Sequence, residues 1–395
     1  MKIVAIADMH IGKDRIGKAN VSPDKWDSPA WEAIDYAIDN VVDLVLFCGD
    51  ELESRHPHPS TIKRFAQMLL ELDGAEVPWR IIGGNHTIGA GADYTSSLTP
   101  YRYMDGGNSK VIEGIIRRES LYKGCSPFTF RLNLIAIPWI RPVDYHPDDL
   151  CGLDTIDEEI QYTREQVLDR LQDAFTLIAG ERPIPTLIAG HAMVTTGNAD
   201  LTAPQTFIGK DIPLPLKELE AYDVPVVLGH IHQAVGPYVG STQPTDFSDT
   251  GEKSFTVLEF DNSYLRLIEN AGWKRERIPY KTSLNVSDIR ITGEEGNIAL
   301  ISEMIQHRRP DVDIIRITIE GDAADPYEIR RSLDGITIES ITVERERITV
   351  ARVDTEQPLV AMAPLDAAEI WMKQQGRTAE EASPIYDRFK ALINE

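Results

Sequence analysis

KIVAIADMH, residues 2–10, is an apolar run of strand length that ends on an aspartate and a histidine. The design recurs in DLVLFCGD (43–50), WRIIGGNH (79–86), PTLIAGH (185–191) and VPVVLGHIH (224–232). In an α/β protein the carboxyl ends of the strands open onto one crevice, so polar residues placed just after successive strands converge there. The converging set is Asp8, His10, Asp50, Asn85, His86, His191, His230 and His232. Imidazoles in that number, with two carboxylates and an amide, suit borderline transition metals better than the oxygen-seeking Mg²⁺ or Ca²⁺. The set exceeds the ligand shell of one cation and matches two.

Each residue type has a reason to be there. A carboxylate at a strand tip, such as Asp50, can bridge two cations and offset their repulsion, while neutral imidazoles bind without adding charge. The centre then stays electropositive enough to receive a phosphate. The glycines at 49, 84, 190 and 229 each stand close before a ligand and permit close approach of the backbone. Asp8-x-His10 and His230-x-His232 are pairs two residues apart, which point the same way if the strand continues through them. Taken singly, an Asp-x-His, Gly-His or Gly-Asn-His after a strand is a turn or a cap; joint occurrence at five strand ends is what argues for a site. His56 and His58, in the Pro-rich turn HPHPS, and His146 read as exposed loop residues. His307, in EMIQHRRP, reads as a helix C-terminal residue favoured by the dipole.

In this order D-x-H, GD, GNH, GH and GHxH resemble the calcineurin-like metallophosphoesterase superfamily. The segment GHIHQAVGPYVGSTQPTDFSDTGEKSFTVLEFD (229–261), with its Tyr-x-Gly-Ser turn, Asp-Phe-x-Asp stretch and lysine before a strand, resembles the SbcD-type nuclease subunits of double-strand-break repair complexes. The resemblance covers roughly residues 1 to 270 and extends more weakly to IAIPWIRP (135–142). It implies Asp8, His10, Asp50 and His232 around one metal, Asp50, Asn85, His191 and His230 around the other, and His86 as the catalytic residue that binds no metal. The two divalent cations would be Mn²⁺ first, with Fe²⁺, Zn²⁺ and Mg²⁺ as the other candidates. The chain departs from its relatives after Asp50, where Glu51-Leu52-Glu53 places an acid at a position often held by histidine.

Two cations a few ångströms apart activate a water and hold a phosphodiester for in-line attack, with no covalent enzyme intermediate. His86 would stabilise the transition state or protonate the departing oxygen. The leading expectation is thus a metal-dependent DNA exonuclease and endonuclease. A small-molecule phosphodiesterase or phosphatase with the same five motifs is the alternative, though it would not need the residues after the core. A scaffold holding structural metals is a third reading, against which a spare histidine argues.

With 395 residues the chain is long enough for two to three domains, and its 42% apolar content builds a sizeable core. Cys48, Cys125 and Cys151 show no paired spacing, which points to a reducing cytoplasm rather than a disulfide framework. The first strand starts at the second residue, leaving no room for a cleavable signal, and no apolar run approaches a membrane span. A net charge of −23 opposes unaided binding of duplex DNA, whose phosphates are gripped by Lys and Arg. Two divalent cations and a partner subunit would supply the missing positive charge.

The expected architecture is a four-layer αββα sandwich over residues 1–275, a small α+β capping domain over 276–355, and a linker with a helical tail over 356–395. In the second region DIRIT, VDIIRITIE and ESITVERERITVARV read as strands around a helix, DPYEIRRSLDG, capped by Asp325 with Pro326 at its first turn and ended by Gly335. The resemblance makes this a capping domain that helps contact DNA; a stability or dimerisation domain is the alternative. In the tail, LDAAEIWMKQQG and SPIYDRFKALINE are helical patterns, the second with Ile385, Phe389 and Leu392 or Ile393 on one stripe. Two short helices after a linker cannot bury both faces alone, so they dock, either on the parent domain or on a partner. By resemblance that partner is the coiled-coil base of an SbcC-type ATPase, and the nuclease is a homodimer acting on double-stranded or single-stranded DNA ends.

Overall fold

The computed structural model describes residues 1–88, 96–104, 109–123, 130–145, 155–179, 184–195, 211–261, 272–291, 312–320 and 340–346. Strand β1 (Lys2–Ile6) is followed by a tight ribbon, β2 (Arg15–Ile16) and β3 (Ala19–Asn20), and by helix α1 (Pro23–Asp39). Then come β4 (Leu44–Phe47), α2 (Pro59–Gly74), β5 (Trp79–Ile82), a 3₁₀ turn at Thr99–Met104, and β6 (Lys110–Ile112). The second half of the core holds β7 (Arg117–Lys123), β8 (Phe130–Ile137), α3 (Pro142–Tyr145), α4 (Ile156–Ala179) and β9 (Thr186–His191). It continues with β10 (Val194–Thr195), β11 (Leu214–Pro215), α5 (Leu216–Glu220) and β12 (Val226–Gly229). β13 (Ser254–Phe260), β14 (Trp273–Pro279), β15 (Val286–Ile291), β16 (Ile314–Glu320) and β17 (Ser340–Glu346) complete the described elements.

The main strands form two sheets, one in the order β14-β13-β1-β4-β5-β6 and one in the order β12-β9-β8-β7. Within the first, β1, β4, β5 and β6 are parallel; within the second, β8, β9 and β12 are parallel. Parallel strands buried on both faces need apolar side chains at every position rather than at alternate ones. β1 shows how the two faces divide: Val4 and Ile6 pack with Ala33 and Ile34 of α1 and Phe65 and Leu69 of α2. Ile3 and Ala5 face the other way, against Leu132 and Leu134 of β8 and Leu187 of β9. On the far side of the second sheet, Ile135, Ile188 and Leu228 pack with Val167 and Leu171 of α4 and Leu219 of α5. The layers therefore run helix, sheet, sheet, helix, around three apolar seams.

The helices begin where the sequence offers caps. Ser22 accepts from the Lys25 amide ahead of Pro23 in α1, and His58 accepts from the Ser60 amide ahead of Pro59 in α2. His58 is thus exposed, as expected, but has a capping role that its loop setting did not reveal. β14 carries the first sheet past residue 275 to Pro279 before a third sheet, β15-β16-β17, is built. Its strands overlap the three β-type stretches read from residues 288, 312 and 339 onward, while the end of the third stretch, the helix expected at 325–335, His146, His307 and the tail at 356–395 lie outside the described residues. By contacts the chain divides into two compact units, Met1–Arg345 and Glu346–Glu395. Among the described residues no helix is long and apolar enough to cross a membrane.

Candidate metal centre

Because β1, β4 and β5 run parallel beside one another, and β9 and β12 do so in the second sheet, all five motif strands open toward the same end of the sandwich. The strands stop earlier than the paired-ligand argument requires. β1 ends at Ile6 and β12 at Gly229, so neither Asp8-x-His10 nor His230-x-His232 lies on continuing strand. The backbone instead turns into the left-handed region at Asp8 (φ 49°), His10 (φ 47°), Asp50 (φ 53°) and His230 (φ 96°). Strained dihedrals at non-glycine residues persist only where surrounding contacts over-determine them, and they gather at functional sites. The contacts are present: the Asp8 amide donates to Gly49 O at 3.0 Å and the His10 amide to Asp50 O at 2.9 Å. Trp26 Nε1 of α1 donates to Met9 O, between the two, at 2.9 Å.

The side chains meet across the seam between the sheets. His10 Nε2 lies 3.2 Å from His232 Nε2, and His232 Nε2 lies 4.0 Å from Asp8 Oδ1. His191 Nε2 lies 3.3 Å from Asp50 Oδ2 and 2.9 Å from Asn85 Oδ1. Asp8, His10, Asp50 and His191 are 1%, 2%, 2% and 0% exposed. The His230 amide donates to both Asp8 oxygens at 3.0 Å, and the His86 amide to Asp50 Oδ1 at 2.8 Å. His230 stands 5.3 Å ring to ring from His191 and 5.0 Å from Trp139, with Nε2 at 3.6 Å from Asp211 Oδ2. His86 is the most open of the cluster around Glu53, 38% exposed, with its ring 4.8 Å from that of His10. All eight expected residues are brought together, with the His230 imidazole turned toward Asp211.

Close packing here depends on glycine. A Cβ on Gly84 would fall 2.2 Å from Asp50 Oδ1, and one on Gly49, at φ 95°, would fall 2.1 Å from His191 Nδ1. The charges are mutually adjusted. Burial raises the Asp8 carboxyl, with Asp50 adding to the effect. Burial works the same way on Asp50, but the imidazoles of His191, His86 and His10 outweigh it and hold that carboxyl below the usual range. Burial would lower His191, yet the Asp50 and Asp8 carboxylates raise it to about 9.

The donor set fits divalent cations. His191 Nδ1 donates to Cys48 O at 2.9 Å, His10 Nδ1 lies 2.8 Å from Glu53 Oε2, and His232 Nδ1 lies 2.8 Å from Thr245 Oγ1. His191 and His232 are thus anchored outward through Nδ1 with Nε2 turned inward, 3.3 Å from Asp50 and 4.0 Å from Asp8, which is how ligating histidines are oriented, while His10 Nε2 faces His232 Nε2. Among the described residues, the clusters able to hold an ion are Asp8, His10 and His232; Asp8, Asp50 and His191; and His10, Glu53 and His86. The anchoring residues were less legible than the ligands. Thr245 and Lys253, whose Nζ donates to His232 O at 2.9 Å and pairs with Asp249, fall in the 229–261 segment, where a pattern existed to find them. Trp139 lies in the IAIPWIRP stretch noted for its resemblance, whereas Asp211 followed no motif. Glu53 is the acid noted as a departure; between His10 and Lys13 (3.0 Å), and against the effect of burial, its carboxyl is held down to about 2.

A helix–sheet–sheet–helix sandwich that gathers imidazoles and carboxylates at its parallel strand ends defines a metal-dependent hydrolase. The chain belongs to the calcineurin-like phosphoesterase family: the family profile matches residues 1–234, a span that includes all eight site residues. The family's chemistry is phosphoester hydrolysis at a dimetal centre, and this chain presents candidate ligand groups for one. No curated protein matches the chain in sequence. Among solved structures, GAP50, the anchor in the inner membrane complex of Plasmodium, aligns at 10% identity and TM-score 0.38 over 87% of this chain and 96% of its own. A dimetal phosphatase from Danio rerio aligns at 14% identity and TM-score 0.37 over 71% and 99%. The phosphopantetheinyl hydrolase of Mycobacterium tuberculosis aligns at 14% and 0.32 over 61% and 90%. Scores of that size carry no weight for function, and none of the three names is that of a DNA nuclease.

Proposed function

We propose that this chain is a phosphodiesterase acting on DNA, with two divalent cations, Mn²⁺ first, held between its sheets. The observation that carries the hydrolase reading is the pair of imidazoles, His191 and His232, anchored through Nδ1 with Nε2 directed at Asp50 and Asp8, which His10 joins with Nε2 at 3.2 Å from that of His232. Asp8, His10, Asp50 and His232 would hold one cation and Asp50, Asn85, His191 and His230 the other. Cations there would supply Lewis acidity to the phosphoryl group and to an attacking water. His86 handles the proton. Its Nδ1 donates to Glu53 O at 2.8 Å, which leaves Nε2 as the atom that would exchange a proton with the departing oxygen.

DNA as substrate is supported by the likeness of residues 229–261 to SbcD-type nucleases. The charge of −23 supports a partner that brings cationic surface, an SbcC-type ATPase docked on residues 356–395 of a homodimer. The full chain should be assayed with Mn²⁺ on duplex DNA ends, bis(p-nitrophenyl) phosphate and p-nitrophenyl phosphate, with and without a cognate ATPase. Cleavage of DNA and of the diester is expected. Hydrolysis of the monoester alone would transfer the site to a small-molecule phosphatase.

A further inference from the structure

Arg55 stands beside this centre with nothing in the proposed chemistry to do. Its Nε and Nη2 donate to the backbone carbonyl of Asn85 at 3.3 and 3.2 Å. The next amide in the same peptide unit, that of His86, donates to Asp50 Oδ1 at 2.8 Å. One peptide plane therefore has the central carboxylate on its N–H edge and a guanidinium on its C=O edge, no more than about 9 Å from that carboxylate along the bonded path. Arg55 is exposed, and among the described residues no carboxylate lies within ion-pair distance of it. Lys13, by contrast, is held by Glu53 at 3.0 Å. A guanidinium has five N–H donors in a fixed fork, so the Asn85 carbonyl leaves several directed outward.

We propose that Arg55 binds the phosphate next to the scissile one, and so selects strands of several nucleotides over isolated phosphodiesters. The inference rests on the reading of the site as a nucleic-acid phosphodiesterase. A cation locked to the backbone loses little freedom on binding, and its reach from the centre is comparable with the spacing of neighbouring phosphates along one strand. In a chain of net charge −23, an arginine left without a carboxylate at the site is placed where anionic substrate must arrive.

The test compares thymidylyl-thymidine, which has one phosphate, with an oligothymidylate, using the full chain and Mn²⁺. Wild type should favour the oligomer by about 10-fold in kcat/KM, mainly through KM, the worth of one charge-assisted hydrogen-bonded contact. Arg55→Ala should erase that preference and reduce the salt slope of log KM for the oligomer by about 0.7, while Arg55→Lys keeps the slope. Equal slowing of both substrates by Arg55→Ala would show that Arg55 merely holds the Asn85 loop, and overturn the proposal while leaving the phosphodiesterase intact. No effect on either would overturn it too. Failure of wild type to cleave either substrate would sink the nucleic-acid reading itself, and this inference with it.

Discussion

Asn85 and His86 are neighbours in sequence with opposite orientations: the Asn85 amide oxygen meets His191, while the His86 imidazole is turned onto the Glu53 carbonyl. That division yields a sharp expectation. His86→Ser should retain two Mn²⁺ per chain by metal analysis and slow diester cleavage by about 10² to 10⁴. If a cation is lost as well, His86 is a ligand in the group it forms with His10 and Glu53. The meeting of the eight site residues at the strand ends was legible because each follows an apolar run and chemistry restricts which residues bind metals. How their side chains converge was not. Period-two alternation assumed strand through 10 and 232, whereas the chain leaves β geometry at Asp8 and His230 with positive φ, where the Asp8, His10 and His230 amides donate to Gly49 O, Asp50 O and the Asp8 carboxylate in contacts that no local pattern encodes. Asp211 illustrates the same limit, since it stands 3.6 Å from His230 without any motif of its own.

At the scale of strands and helices the seam between β4 and β5 admits no side chain beyond Asp50. Gly84→Ala would force a methyl into Asp50 Oδ1, so metal binding measured by calorimetry should collapse and stability fall by about 1 to 3 kcal/mol, the usual cost of overpacking. Retained affinity would mean that the loop after β5 yields more easily than its contacts suggest. α1 carries a different liability. Burial lifts the Asp27 carboxyl to about 6 although Arg64 donates to it at 2.7 Å. Its folded value lies above its unfolded one, so the protonated folded form is favoured, and stability is lost as pH rises from about 4 through about 6. Asp27→Asn should flatten the unfolding free energy across that window by up to about 1 kcal/mol per pH unit; an unchanged profile would contradict the assignment. The strands themselves were readable as unbroken apolar runs. Their distribution between two sheets was not, because runs buried on both faces look alike whichever sheet they join.

For the whole molecule, the site and its phosphoesterase chemistry fall within the first compact unit, and the expected ATPase contact falls within the second. Removing residues 360–395 should leave Mn²⁺-dependent hydrolysis of bis(p-nitrophenyl) phosphate intact while abolishing capture of the ATPase in a pull-down. Retained capture would move the interface elsewhere. Mn²⁺ should also raise the thermal midpoint, by an amount that grows with its concentration and vanishes on chelation, because ions that bind only the folded chain stabilise it by mass action. A flat response would argue against a site built between sheets. Here the meeting of His10 with His232, and of Asp50 with His191, has a mechanical meaning. Cations held by those groups would act as rivets across the plane on which the two sheets could shear, joining stretches of chain about 140 and 220 positions apart. Closing so large a loop is entropically demanding, so a riveted chain would have to release its ions before the halves could part, and the lifetime of the native state would follow the rate of ion escape.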